Sequence, residues 1–226
     1  MGLLDADVYG PSCPTLLGVR ARAQTDESGA RIQPVTAYGI KLMSLGLLMP
    51  KEQALIWRGS LVDEGLPGLF TDVAWGELDV LLVDLPPGTS DVHLGTARQV
   101  QLAGVVTVSA PGQTSVEDVR RGMEMFADIA VPCLGLVENM AGVRCRQCGD
   151  VQRVFGDGGV ESLAEATGVP LLARIPFEPE VASRGDNGEP MVVAAPDSQT
   201  AREICKAGAA LCERLRLTPA DAEAVA

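Results

Sequence analysis

Two cysteines separated by two residues, in Cys145-Arg146-Gln147-Cys148, form the pair in this chain best spaced to hold a metal or exchange electrons. Thiolates at that spacing serve an iron-sulfur cluster, half of a zinc site or a dithiol redox pair. The other cysteines are irregularly spaced. Cys133 opens an apolar stretch, and Cys205 and Cys212 recur on one helical face, so core packing is expected of these three. Cys13 sits in a proline-flanked turn and suggests no role. His93, the sole histidine, follows a glycine turn at the start of a helix beside Asp91. It reads as a surface histidine, solvated or capping that helix.

The second kind of chemistry lies in carboxylates at strand ends. Leu78 to Asp84 reads as an apolar strand closing in an acid, followed at once by Leu85-Pro86-Pro87-Gly88-Thr89. An acid so placed can hold Mg²⁺ through water in a nucleoside triphosphatase. Gly88 would let the backbone approach a terminal phosphate, and the prolines would stiffen the turn. The same pattern also serves as an ordinary strand end. Asp5 and Asp7 alternate at the mouth of another strand, where side chains two apart share a face and could meet one ligand. Alternatively, the pair caps a helix that begins at Ser12.

Positioning such groups needs a regular frame, and the sequence alternates short apolar strands with amphipathic helices. That alternation predicts an α/β fold, a doubly wound and mostly parallel sheet covered by helices on both faces. Leu3 to Asp5 reads as the end of a strand, and Gly104 to Ser109, Cys133 to Glu138 and Pro170 to Ile175 as whole strands. Arg31 to Pro34 and Ile40 to Met43 read as a small hairpin turning through Ala37 to Gly39. Thr114 and Glu117 suggest a capping box ahead of an apolar stripe of Val116, Val119, Met123, Phe126 and Ile129. A helix over Val160 to Thr167 should end on Gly168, and a last one should run from about Ser198 to Arg216. Met43, Met49, Met123, Met125 and Met140 fall on core faces or loops. Beyond Thr218 a frayed tail is expected.

With 226 residues, 46% of them hydrophobic, the chain can bury a core without disulfides, and one domain spanning residues 1–226 is the default expectation. A formal net charge of -12 disfavours nucleic-acid and anionic-membrane partners, both of which reward dense Lys and Arg. Apolar runs are too short to cross a bilayer and no export leader is apparent, so a cytoplasmic location is expected. An organellar one follows if an address precedes Met1.

Asp5-Ala6-Asp7-Val8-Tyr9-Gly10-Pro11-Ser12, Ile56-Trp57-Arg58-Gly59, the stretch from Asp72 to Asp79, Asp84-Leu85-Pro86-Pro87-Gly88-Thr89, Val137-Glu138-Asn139-Met140 and Pro196-Asp197-Ser198 together resemble the Mrp/ApbC iron-sulfur cluster carriers. These are deviant Walker A P-loop ATPases, more distantly related to MinD, ParA and the nitrogenase iron protein. The resemblance covers nearly the whole chain. It implies a homodimeric ATP-binding protein that passes a 4Fe-4S cluster to apo-proteins. Residue by residue, it implies that Asp7 is the switch acid near the attacking water and that Asp5 lies near the metal and phosphates. Asp84 becomes the magnesium-linked acid and Asn139 the reader of the adenine edge. Pro176, within Ile175-Pro176-Phe177, would line the base pocket. Cys145 and Cys148 take the cluster-binding position. Since such a cluster takes about four thiolates, a two-fold dimer would supply the second pair.

The chain departs from this pattern in one respect that matters chemically. The family's phosphate-binding loop closes in Gly-Lys-Ser/Thr, whereas Lys41, Lys51 and Lys206 here follow Ile40, Pro50 and Cys205. The first strand, loop and helix are therefore expected to be missing, as in a shortened gene model, and the neighbours of the absent strand should show exposed ladder groups and apolar faces. ATP hydrolysis by this chain becomes doubtful. Gly65-Leu66-Pro67-Gly68 also predicts a break or kink in a helix. Two other readings compete. One is a MinD/ParA-like positioning ATPase, against which the acidic stretch from Leu217 to Ala226 counts. The other is an inactive scaffold with a zinc-binding cysteine pair.

Overall fold

The computed structural model describes residues 1–48, 59–145 and 147–217, with residues 59–64 as backbone only. Met49, Lys51, Ile56, Trp57, Arg58, Arg146 and the tail from Thr218 lie outside the described residues. The elements in chain order begin with β1 (Gly2–Asp5), α1 (Cys13–Leu16), β2 (Gln24–Thr25), β3 (Ile32–Gln33), β4 (Val35–Ala37) and β5 (Ile40–Ser44). Next come α2 (Gly59–Thr71), β6 (Leu81–Asp84), α3 (Asp91–Gln99), β7 (Val105–Ser109), α4 (Gln113–Asp128) and β8 (Cys133–Glu138). The chain continues with β9 (Val143–Arg144), β10 (Val151–Gln152), α5 (Gly159–Thr167), β11 (Leu171–Arg174), α6 (Pro179–Asn187), α7 (Met191–Ala194) and α8 (Gln199–Leu215). Contacts gather into two compact units: Met1–Gln101 with Ser183–Pro190, and Leu102–Ala182 with Met191–Ala226.

In the first unit the sheet order is β4-β5-β1-β6, with β1 parallel to both β5 and β6. Parallel strands buried on both faces need apolar side chains at successive positions. Leu42 and Met43 of β5, paired with Leu3 and Leu4 of β1, supply them. One face packs Leu4 and Met43 with Leu66, Leu69, Val73 and Val92, the other packs Leu42 with Cys13 and Leu47. Trp75 closes the first face, its indole N–H donating to the Leu69 carbonyl at 3.1 Å. The anticipated hairpin is shifted: Val35–Ala37, rather than Arg31–Pro34, pairs with β5, while Ile32–Gln33 pairs with β2. Val35 lies opposite Leu42, where its side chain packs against the apolar face. Helix α2 runs through Pro67 instead of breaking. An interior proline costs about 3 kcal/mol, and burial of Leu66 and Leu69, each contributing about 1.5–3 kcal/mol, offsets it. The strand leading to Asp84 is shorter than Leu78 to Asp84, starting at Leu81.

In the second unit the order is β11-β8-β7, all parallel. Leu136 packs on one face with Val116, Met123, Val160 and Leu163, and Val137 on the other with Leu172, Ala173 and Ala207. Helix α4 is two residues longer at its start than a capping box at Thr114 allows. Its N-cap is Gly112, with no side-chain cap. Val116, Met123 and Phe126 are buried as the stripe predicts, but Ile129 falls past the helix end and is exposed. Gly168 ends α5 with φ of +68°, and the Ser198 hydroxyl accepts the Ala201 N–H at the start of α8. Cys205 is exposed and Cys212 half-buried, contrary to the core role expected of them. Their shared face lies off the stripe that α8 buries, on which Thr200, Ala207 and Leu211 recur.

Among the described residues, β6 and β7 are each paired on one side only. Leu82 on β6, with Val106 and Val108 on β7, is solvent-exposed.

Candidate functional site

Asp5 and Asp84 end adjacent parallel strands and stand opposite each other in register, so the sheet itself brings the two acids together. Asp5 is buried at 1% exposure. Its carboxylate accepts the backbone N–H of Asp7 and of Cys13, each at 3.2 Å, and the Ser44 hydroxyl at 3.1 Å. Burial raises its pKa to about 6 and the nearby Asp84 charge adds to this, against the lowering by the Ser44 bond. Asp84 is exposed. The thiol of Cys13, the first residue of α1, donates to Asp84 Oδ2 at 3.2 Å. Burial, with the two acids nearby, pushes the Cys13 pKa far up. Sequence reasoning assigned Cys13 nothing. The signal available was its place as the first helical residue after the Asp5-x-Asp7 run.

Asp7 is placed differently from the expectation. The strand stops at Asp5, so the two-residue alternation does not continue, and Asp7 folds back to accept the N–H groups of Tyr9 and Gly10. The capping alternative is met in part: the Ser12 side chain makes no cap bond, while Asp5 takes the first amide of α1. Beyond Asp84, Gly88 has φ of +83° with open space about it, a conformation that favours glycine. His93 is buried rather than on the surface. It does cap its helix: Nδ1 accepts the Ser90 N–H at 3.1 Å and meets the Ser90 hydroxyl at 3.0 Å. Burial lowers its pKa, which keeps the ring an acceptor.

The second unit carries the remaining residues. Asn139 follows β8, donating its N–H to the Ser109 carbonyl at 2.8 Å and accepting the Met140 N–H on its side-chain oxygen at 2.9 Å. The next residues run beside Ile175-Pro176-Phe177: Ala141 N–H reaches the Ile175 carbonyl and Phe177 N–H the Gly142 carbonyl. Pro176 lines a cavity of about 160 Å³ with Glu138, Arg144, Arg153, Arg174 and Gln199. Glu138 is buried, and burial raises its pKa against the pull of Arg174, whose Nε lies 3.2 Å away.

Cys145 and Cys148 sit at the turn of the hairpin formed by antiparallel β9 and β10. Cys145 N–H donates to the Asp150 carbonyl at 2.8 Å, Gly149 N–H to the Cys145 carbonyl at 2.9 Å, and the Arg144 guanidinium to the Gly149 carbonyl at 2.8 Å. The turn is thus fixed by backbone bonds. Amide N–H groups of Cys148, then Gln147, together with the Cys148 thiol, hold the Cys145 pKa below the ordinary thiol value. Cys145 is half-buried and Cys148 exposed, and both are free thiols. A turn whose amides point at sulfur favours thiolate, the form that binds metal.

A family model of the ParA group, described as NUBPL iron-transfer P-loop NTPase, matches residues 1–212. An iron-sulfur cluster carrier protein of Aquifex aeolicus is 43% identical over 203 residues, 89% of this chain and 56% of that protein. One from Helicobacter pylori is 41% identical, with 89% of this chain and 55% of that protein covered. The chain therefore spans about half the length of the curated relatives it matches. Among solved structures, a nucleotide-binding protein of Archaeoglobus fulgidus in complex with ADP is 34% identical with a TM-score of 0.69. It covers 83% of this chain, which covers 73% of that one. The Pyrococcus furiosus cell division ATPase MinD, 19% identical with a TM-score of 0.68 over 94% of this chain and 86% of its own, shares the fold. With a family model matched over residues 1–212 and a parallel α/β frame shared with a 34%-identical solved structure, this chain belongs to the NUBPL-type iron-transfer P-loop NTPases.

Proposed function

We propose that this chain carries an iron-sulfur cluster of the 4Fe-4S type as cargo, held by Cys145 and Cys148 of two copies, and delivers it to apo-proteins. The observation that carries this reading is the Cys145-Cys148 turn: two free thiols on an accessible hairpin, one of them held toward thiolate by backbone amides. Two such chains offer about the four thiolates a cluster takes, which is why a homodimer belongs to the proposal. Delivery is then ligand exchange, in which the recipient's thiolates replace these without net oxidation. We further propose that residues 1–226 form one nucleotide-binding domain. In it Asp5 and Asp84 serve a Mg²⁺-linked nucleotide, Asp7 orients the attacking water, Gly88 lies by the phosphates, and Asn139 and Pro176 hold the base. The oxygen donors of Asp5 and Asp84 suit a hard cation such as Mg²⁺. The Gly-Lys loop that neutralises phosphates does not occur in these 226 residues, so hydrolysis is proposed only for a chain that includes one. The proposed compartment is the cytoplasm. No described helix is long and apolar enough to cross a membrane.

Anaerobic reconstitution with iron and sulfide tests the proposal. A brown protein whose visible absorption disappears in Cys145→Ser and in Cys148→Ser is the expected result. A cluster that persists without both cysteines overturns it, and a colourless protein binding zinc favours the scaffold reading instead.

A further inference from the structure

We infer that Cys13 converts the Asp5-Asp84 acid pair into a site for a borderline-soft divalent cation such as Zn²⁺ or Co²⁺, bound without nucleotide. Three elements converge on one point: the ends of β1 and β6 and the first residue of α1. One ligand atom from each of Asp5, Cys13 and Asp84 lies within 4.8 Å of the other two. A tetrahedral site with about 2.3 Å to sulfur and about 2.0 Å to oxygen separates its ligands by about 3.3–3.5 Å. The Cys13 Sγ to Asp84 Oδ2 edge is already 3.2 Å. The remaining edges, each no longer than 4.8 Å, need to contract by at most about 1.5 Å.

Charge argues for a cation there. Asp5 is buried at 1% exposure beside a second acid. Among the described residues, no Lys or Arg forms an ion pair with either. A buried acid beside a second acid, without a counter-charge, is costly, and a bound cation relieves it. The donor set argues for which cation. Mg²⁺ takes oxygen ligands in near-ideal octahedra, whereas a thiol among the donors selects softer ions. On binding, the metal–sulfur bond replaces the Cys13 S–H bond and the proton leaves to solvent, with no electron transferred. Three protein ligands leave one position for water or an incoming phosphate oxygen.

The test uses the full chain carrying Cys145→Ser and Cys148→Ser, so that the hairpin thiols cannot contribute and the outcome does not depend on the cluster reading. Without nucleotide, Co²⁺ should give a thiolate-to-cobalt charge-transfer band, and Zn²⁺ should abolish it by competition while equimolar Mg²⁺ does not. Adding Cys13→Ser should remove the band. Loss of a partner outside the ligand shell already weakens metals about 10–100-fold, so Zn²⁺ affinity should fall at least that far. Asp84→Asn, which keeps size and an acceptor oxygen, should weaken Zn²⁺ in the same direction, and circular dichroism establishes that each variant is folded. Absence of a charge-transfer band in the Cys13-containing protein, or unchanged Zn²⁺ affinity in folded Cys13→Ser, overturns the inference.

Discussion

Asp5 and Cys145 owe their properties to opposite surroundings, burial beside a second acid in one case and amide donors in the other. Asp5 is raised from 3.8 to about 6 in the fold, so between those values the folded chain binds more protons than the unfolded one. By linkage its contribution makes stability fall as pH rises from about 4 to about 6 and then level off. Asp5→Asn should remove that slope, read as the difference between wild-type and variant urea midpoints across this range. Identical slopes would contradict the shift. Cys205→Ser should leave both cluster absorption and the urea midpoint unchanged, because the side chain is exposed and surface changes usually stay within about 0.5 kcal/mol. The turn at the cysteine pair, the strand end at Asp84 and the glycine turn at Gly88 were legible in the sequence because turn glycines, strand-end acids and paired thiols are local signals. Cys13 was not, because its partner Asp84 is remote along the chain and only the strand register brings them together.

At the scale of elements, periodicity located β8 and α8 well, since each must bury a defined face. Ends set by tertiary packing were harder to read: β6 starts later than its apolar run, and α4 starts at Gln113, after Gly112, without the anticipated side-chain cap. Proline and glycine gave unequal guidance. Pro67 lies within a continuous helix because core packing outweighs the lost bond, whereas Gly168 ends α5 as expected. A Cβ at Gly168 meets nothing within 4 Å, so Gly168→Ala isolates the cost of its left-handed backbone. That cost should be about 1–2 kcal/mol, seen as a lower urea midpoint with an unchanged slope. No change in midpoint would show that α5 does not depend on this cap.

For the whole molecule, α/β architecture and family followed from motif order. The division of contacts into two compact units did not, since it depends on which strands find partners. Among the described residues, β6 and β7 are edge strands that expose Leu82, Val106 and Val108, the most exposed being Val108 at 55%. Such edges recruit other chains, and a lysine on them opposes pairing. Val108→Lys should therefore lower self-association of the cluster-free chain in light scattering. Equal scattering would locate the association elsewhere. The central claim, cluster carriage by the Cys145-Cys148 turn, is tested most directly by weighing the anaerobically reconstituted protein in its native state while assaying iron and sulfide. The account predicts a mass of two chains holding one cluster of about four irons, reverting to single chains in Cys145→Ser. A single chain that keeps a full cluster, or a dimer that keeps one after loss of Cys145 and Cys148, would contradict it.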